Sequence, residues 1–248
     1  MRETKNQLED DYHDGLVDYT DTFDKFMEDL EELKLSDKYC PDTERMERLI
    51  QIMIESDDIA TMCKWVRIFK TLLWDSEVEA DEDFTVIKPL LDQELIRKYN
   101  LLLQEVGNAN LQYELLNFLI NLTCFDVIRD HIQTFKDHGV IKSVVDNLHT
   151  LDKSIKRKDA KLLNFTLWAL LHFITDYSQL VDHICDSGVI PEIEYILSNT
   201  CKRFQSSDQD QWVKIQMHCF EIIKLLTTDL HRDYWHQINS LIKSLSEY

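Results

Sequence analysis

A chain of 248 residues, 44% of them hydrophobic, can bury a sizeable core as one long domain or two short ones. Its formal net charge of −19 argues against a nucleic-acid partner, and no apolar run reaches the ~18–20 residues that a membrane-spanning helix needs. Only four Gly and three Pro occur and β-branched alternation is scarce, so the chain reads as nearly all-helical.

Residues 1–44 carry fifteen Asp or Glu against five Lys or Arg, a net of −10. Leu16, Tyr19, Phe23, Phe26, Met27, Leu30 and Leu33 follow helical spacing, so Asp14–Lys34 can form an amphipathic helix. Two roles suit it: a cap docked on the rest of the chain, or a disordered arm that folds on a basic partner. The start is polar and acidic and has no signal-peptide core, so a soluble, intracellular protein of the cytoplasm or nucleus is expected.

Cys40-Pro41-Asp42-Thr43 reads as a stop, with Asp42 or Thr43 capping a helix through Arg45–Glu55. Ile59–Trp74 is the first long apolar helix, with Trp65, Ile68, Phe69, Leu72 and Leu73 on one face. Asp75–Asp83 holds six acids in nine residues and is expected as an exposed loop. Phe84–Leu91 and Asp92–Val106 read as two further helices, and Asn108-Ala109-Asn110 as the turn after them. Leu111–Thr123 is a long apolar helix, followed by Cys124–Gly139 and by Val140–Leu148. Residues 149–161 are expected as a connector that holds the basic cluster Lys153–Lys161. The order then recurs as an apolar helix from Leu162, a second helix ending at Gly188, and Val189–Leu197. Residues 198–211 read as a polar loop, Val213–Thr227 as a last long helix, and Asp229–Asp233 as a bend. Tyr234, Ile238, Leu241, Ile242 and Leu245 mark the final packed face.

Superposing the long helices aligns Asn117 with Trp168 and Phe220, at spacings of 51 and 52, and Asn121 with His172 and Lys224 one turn later. Gly139 and Gly188 are 49 apart. Such self-similarity marks an α-solenoid, with a period slightly above the usual ~40–47 of helical repeats of this kind.

At these residues the chain resembles the importin-α armadillo proteins. LQYELLNFLINLT (Leu111–Thr123) is similar to that family's inner-helix pattern LQxExAWALxNIA, and LLNFTLWALLHFITD has the same cadence. GVIPEIEYIL resembles G-x-V-P-x-L-x-x-L-L, and IFKTLL stands where FRKLL is usual in the first repeat. The resemblance covers roughly residues 46–248. It implies an all-α, armadillo-type right-handed α-solenoid of about four repeats over residues 45–248, behind the acidic extension 1–44.

In that family the inner helices present a Trp and, one turn later, an Asn. The amide pairs with the backbone of an extended peptide, and the indoles form slots for Lys stems. Carried onto this chain, the groove residues are Asn117, Asn121, Asn164, Trp168, His172, Phe220 and Lys224. The resemblance departs from the family at the amino terminus, where a basic importin-β-binding arm is replaced by acidic residues.

The six Cys form no C-x-x-C pair, and neither His131 with His138 nor His231 with His236 has a ligand partner at metal spacing. No Gly-rich phosphate loop, G-x-S-x-G or H-E-x-x-H occurs. No metal, cofactor or catalysis is therefore expected. Two functions remain: an importin-α-like adaptor that binds a basic or extended protein segment in its groove, or a scaffold subunit of a large multi-protein assembly.

Overall fold

A computed structural model describes positions 47, 50–51 and 53–56 and residues 59–75, 84–105, 109–125, 127–150, 157–200, 209–229 and 234–246. The chain divides into two units, Met1–Pro41 and Asp42–Tyr248, and the account that follows concerns the second. The amphipathic segment 14–34, the body of the acidic loop at 76–83 and the polar loop at 201–208 lie outside the described residues.

Eleven helices can be followed among the described residues: α1 (Ile59–Asp75), α2 (Phe84–Leu90), α3 (Gln93–Leu103), α4 (Ala109–Thr123), α5 (Ile128–Asp137), α6 (Val140–Thr150), α7 (Arg157–Asp176), α8 (Val181–Asp186), α9 (Val189–Thr200), α10 (Gln209–Asp229) and α11 (Trp235–Ser246). A 3₁₀ turn, Ser178–Leu180, precedes α8. Two rows result. The long helices α1, α4, α7 and α10 stack side by side, each on the next. The helices α3, α6, α9 and α11 form the second row in the same manner, with α5 and α8 as short struts against it. Contacts of α3 with α4, α6 with α7 and α9 with α10 join the rows. The unit is an all-α solenoid built from nearest-neighbour contacts.

The pattern of apolar residues explains the layering. In α4 the buried set includes Leu111, Leu115, Leu116, Phe118, Leu119, Ile120 and Leu122, which encircle the helix. A helix apolar all round needs cover all round. In α10 the buried residues are Trp212, Ile215, Cys219, Ile222 and Leu226, a single stripe, so this helix has cover on one side only.

Local chemistry sets the ends. Asp92 caps α3 by accepting from the backbone N–H groups of Glu94 at 2.8 Å and Leu95 at 3.3 Å. Gly139 and Gly188 end α5 and α8 at φ +77° and +92° and turn the chain into α6 and α9. Their N–H groups donate to Lys136 O at 3.0 Å and Cys185 O at 2.9 Å. Two tyrosines tie distant segments together: Tyr99 donates to Leu90 O at 3.2 Å, and Tyr177 to Thr123 O at 3.0 Å.

Several expected boundaries move. α9 runs to Thr200 and α10 begins at Gln209, so both ends of the expected loop 198–211 are helical. α7 begins at Arg157, so the second half of the expected connector 149–161 is helical. α4 begins at Ala109 inside the expected turn 108–110.

Gly188 isolates the cost of a left-handed backbone. An added Cβ would meet nothing within 4 Å, so only the torsion resists it. Gly188→Ala is expected to destabilise the fold by about 1–2 kcal/mol in denaturant unfolding. An unchanged midpoint would contradict this role.

Candidate peptide-binding face

The long-helix row carries two kinds of contact between neighbours. Between α1 and α4 the buried rings of Phe69 and Phe118 meet with centres 6.2 Å apart, and an ion cluster stands beside them. Arg67 Nε donates to Glu114 Oε1 at 3.1 Å and Lys70 Nζ to Glu114 Oε2 at 2.8 Å. The Glu114 side chain is 5% exposed, against 16% for Lys70 and 36% for Arg67. Both carboxylate oxygens are therefore engaged within the protein, and Glu114 has no oxygen left over for an incoming ammonium group.

From α4 to α10 the contact is aromatic. Lys161 Nζ sits 4.9 Å from the centre of the Tyr113 ring. Tyr113 meets Phe165 with ring centres 4.5 Å apart, and Phe165 meets Trp168 edge-on at 5.5 Å. Trp168 then meets His172 at 5.9 Å and stacks on His218 at 6.5 Å with planes 20° apart. This ladder runs across α4, α7 and α10. Phe165 is buried, whereas Tyr113, Trp168, His172 and His218 are half-buried. His172 Nδ1 lies 3.4 Å from a carboxylate oxygen of Asp176, which is itself exposed. An indole held on both sides, with a carboxylate two turns further along, can take an aliphatic stem and its cation.

The groove residues expected from the sequence divide three ways. Trp168 and His172 are brought together on the ladder, and Asn121 is half-buried on α4. Asn117 and Asn164 correct the expectation. They are 2% and 4% exposed, and their Oδ1 atoms are buried without a hydrogen-bond partner. They lie in the contacts of the stacked row, so their amides cannot read a peptide backbone in this arrangement. Phe220 and Lys224 are exposed on α10, but the α10 ring that meets Trp168 is His218. Positions 218 and 220 point ~200° apart on an α-helix, so Phe220 belongs to another face. Lys224 pairs with Glu221 at 2.7 Å.

His218 was not picked out from the sequence, and nor was the Glu114 triad. The signal for the triad was a lone carboxylate in the middle of an apolar helix, which demands partners.

The described cysteines Cys124, Cys185 and Cys219 are free thiols. Burial and then Asp176 push the Cys124 thiol up, and burial, followed by Asp182 and Asp186, pushes Cys185 up to about 12. Burial alone raises Cys219 further. Protonated thiols are neither nucleophiles nor metal ligands, and no cluster of ligating side chains occurs among the described residues.

Among solved structures the chain is similar to a designed armadillo repeat protein, with 12% identity over 80% of this chain and 70% of that one and a TM-score of 0.55. The fold is an armadillo-type α-solenoid. An engineered protein is also similar, at 15% identity over 82% and 81% of the two chains, with a TM-score of 0.52. No protein-family model matches the chain. No curated protein matches it either. At such identities the likeness concerns the armadillo fold alone, and no helix among the described residues is long and apolar enough to cross a membrane.

The ion triad gives a direct test of how the first two long helices are held. Glu114→Ala leaves Lys70 and Arg67 without their anion. A fully buried pair broken in this way costs roughly 3–5 kcal/mol; Arg67 reaches water, so about 2 kcal/mol is expected by urea unfolding. Glu114→Gln keeps an acceptor and should lose less. Full stability of the Ala variant would show that the triad holds nothing.

Proposed function

We propose that the chain is a non-catalytic protein-binding module that takes an extended segment of a partner protein along its long-helix row, centred on Trp168. The observation that carries this reading is the half-buried indole of Trp168 beside the rings of His172 and His218 at the junction of α7 and α10. A solenoid of stacked repeats offers such a continuous surface by construction. The net charge of −19 and the exposed carboxylate of Asp176 suit a basic segment. This is the adaptor arrangement of the importin-α family in outline. Its backbone-reading asparagines are largely withdrawn, because Asn117 and Asn164 are buried.

That withdrawal favours a second reading, a scaffold subunit whose long-helix face is a fixed contact in a larger assembly. The two readings differ in reversibility and in the size of the particle that holds the protein.

The test is a titration of a Lys/Arg-rich peptide into wild type, Trp168→Ala and Asp176→Asn at low and physiological salt. Wild-type binding should weaken as salt rises, since exposed charges are screened over about 8 Å at physiological ionic strength. Trp168→Ala should lower affinity roughly tenfold, the scale of one well-placed cation–π contact. Asp176→Asn should flatten the salt dependence. A melting curve for each variant separates lost binding from lost folding. Absence of saturable binding at low salt would remove the basic-peptide reading, and unchanged affinity in Trp168→Ala would move the site elsewhere.

A further inference from the structure

The last long helix, α10, is covered by α7 on one side and has no long helix beyond it among the described residues. Its exposed residues there include Asp210, Val213, Met217, Phe220 and Lys224. Val213, Met217 and Phe220 are 38%, 64% and 55% exposed, large values for apolar side chains. The intervals are 3, 4, 3 and 4 residues, the spacing of a coiled-coil seam. α11, packed on α10, adds exposed Trp235 and Ile242, seven residues apart on one face. The exposed apolar side chains are thus concentrated at this end of the solenoid.

We propose that this end is a self-association surface, on which two copies of the chain pair α10 against α10 in antiparallel fashion about a two-fold axis through Met217. The charge pattern selects this occupant. Asp210 lies seven residues before Met217 and Lys224 seven residues after it. Reversing the helix about Met217 therefore brings Asp210 of one copy opposite Lys224 of the other, at both ends of the seam, where it shares Lys224 with that copy's own Glu221. Val213 falls opposite Phe220 of the second copy to within one residue, a rise of about 1.5 Å. A seam that is apolar in the middle and oppositely charged at its ends is complementary to its own reversed copy, which is what an isologous contact requires.

The distribution of net charge agrees. Residues 209–248 hold four Lys or Arg (Lys214, Lys224, Arg232, Lys243) and five Asp or Glu (Asp210, Glu221, Asp229, Asp233, Glu247), a net of −1. The remaining residues carry −18 of the −19. Two copies of a strongly acidic protein meet with least repulsion at this end. One helix pair is small against the ~800 Å² per partner of a standard interface, so the dimer is weak and reversible.

The test is sedimentation velocity of the full chain across a concentration series from low to high micromolar. Wild type should shift from monomer towards dimer. Met217→Glu should raise the dissociation constant at least about tenfold, as truncation or repulsion at the centre of an interface does. Lys224→Asp should weaken the dimer at low salt, and Asp210→Lys with Lys224→Asp should restore it, because the reversed pair is again complementary. The substituted side chains are exposed, and unchanged melting temperatures would confirm that folding is intact. A wild type that stays monomeric throughout overturns the proposal. So does a dimer that survives Met217→Glu, or a double charge reversal no tighter than Lys224→Asp alone.

Discussion

Each long helix depends on the neighbours it has in its own row. α4 is apolar almost all round because α1 and α7 flank it and α3 closes it from the second row. α10 has an apolar stripe on one side and an exposed seam on the other, where no long helix covers it among the described residues. In a solenoid the stability of a repeat is the sum of its own helices and its two interfaces. The same constraint places the aromatic ladder. Rings from three successive helices can touch only because those helices are held side by side, and the half-exposed Trp168 is where the stack presents its chemistry.

Rings meet at every junction of the row, but only some of them reach the surface. The α1–α4 junction joins the buried rings of Phe69 and Phe118 beside a carboxylate shared between two cations, while the α4–α7–α10 junctions carry rings that reach the surface. The difference bears on function. An acidic surface attracts a basic segment at a distance, but a carboxylate already saturated by Arg67 and Lys70 gives it nothing at contact. The part of the row that remains available is the part around Trp168, His172 and Asp176.

The helices, their order and the two glycine turns were legible in the sequence, because apolar periodicity and Gly139 and Gly188 report purely local physics. The repeats were legible because residues 111–148 and 162–197 share that periodicity. Register between repeats was not. A superposition that put Phe220 in the column of Trp168 missed the ring that actually meets it, His218, two residues away. Positions 218 and 220 point ~200° apart, so an alignment of equivalent columns does not report which of them faces the neighbouring helix. Asn117 and Asn164 failed for a related reason. The resemblance carried both into the groove, and here both are buried, with an oxygen of each left unpaired. The Glu114 triad was invisible as a contact, since its partners lie 44 and 47 residues away.

The central claim is that helices flanked on both sides in the row are the most stable part of the unit. Native-state hydrogen exchange, read by mass spectrometry at low protein concentration where α10 is unpaired, tests it directly. The account predicts slowest exchange in α4 and α7 and clearly faster exchange in α10, graded according to the number of neighbours. Protection in α10 equal to or above that in α4 would contradict the stacking account and, with it, the placement of the Trp168 ladder on a rigid frame.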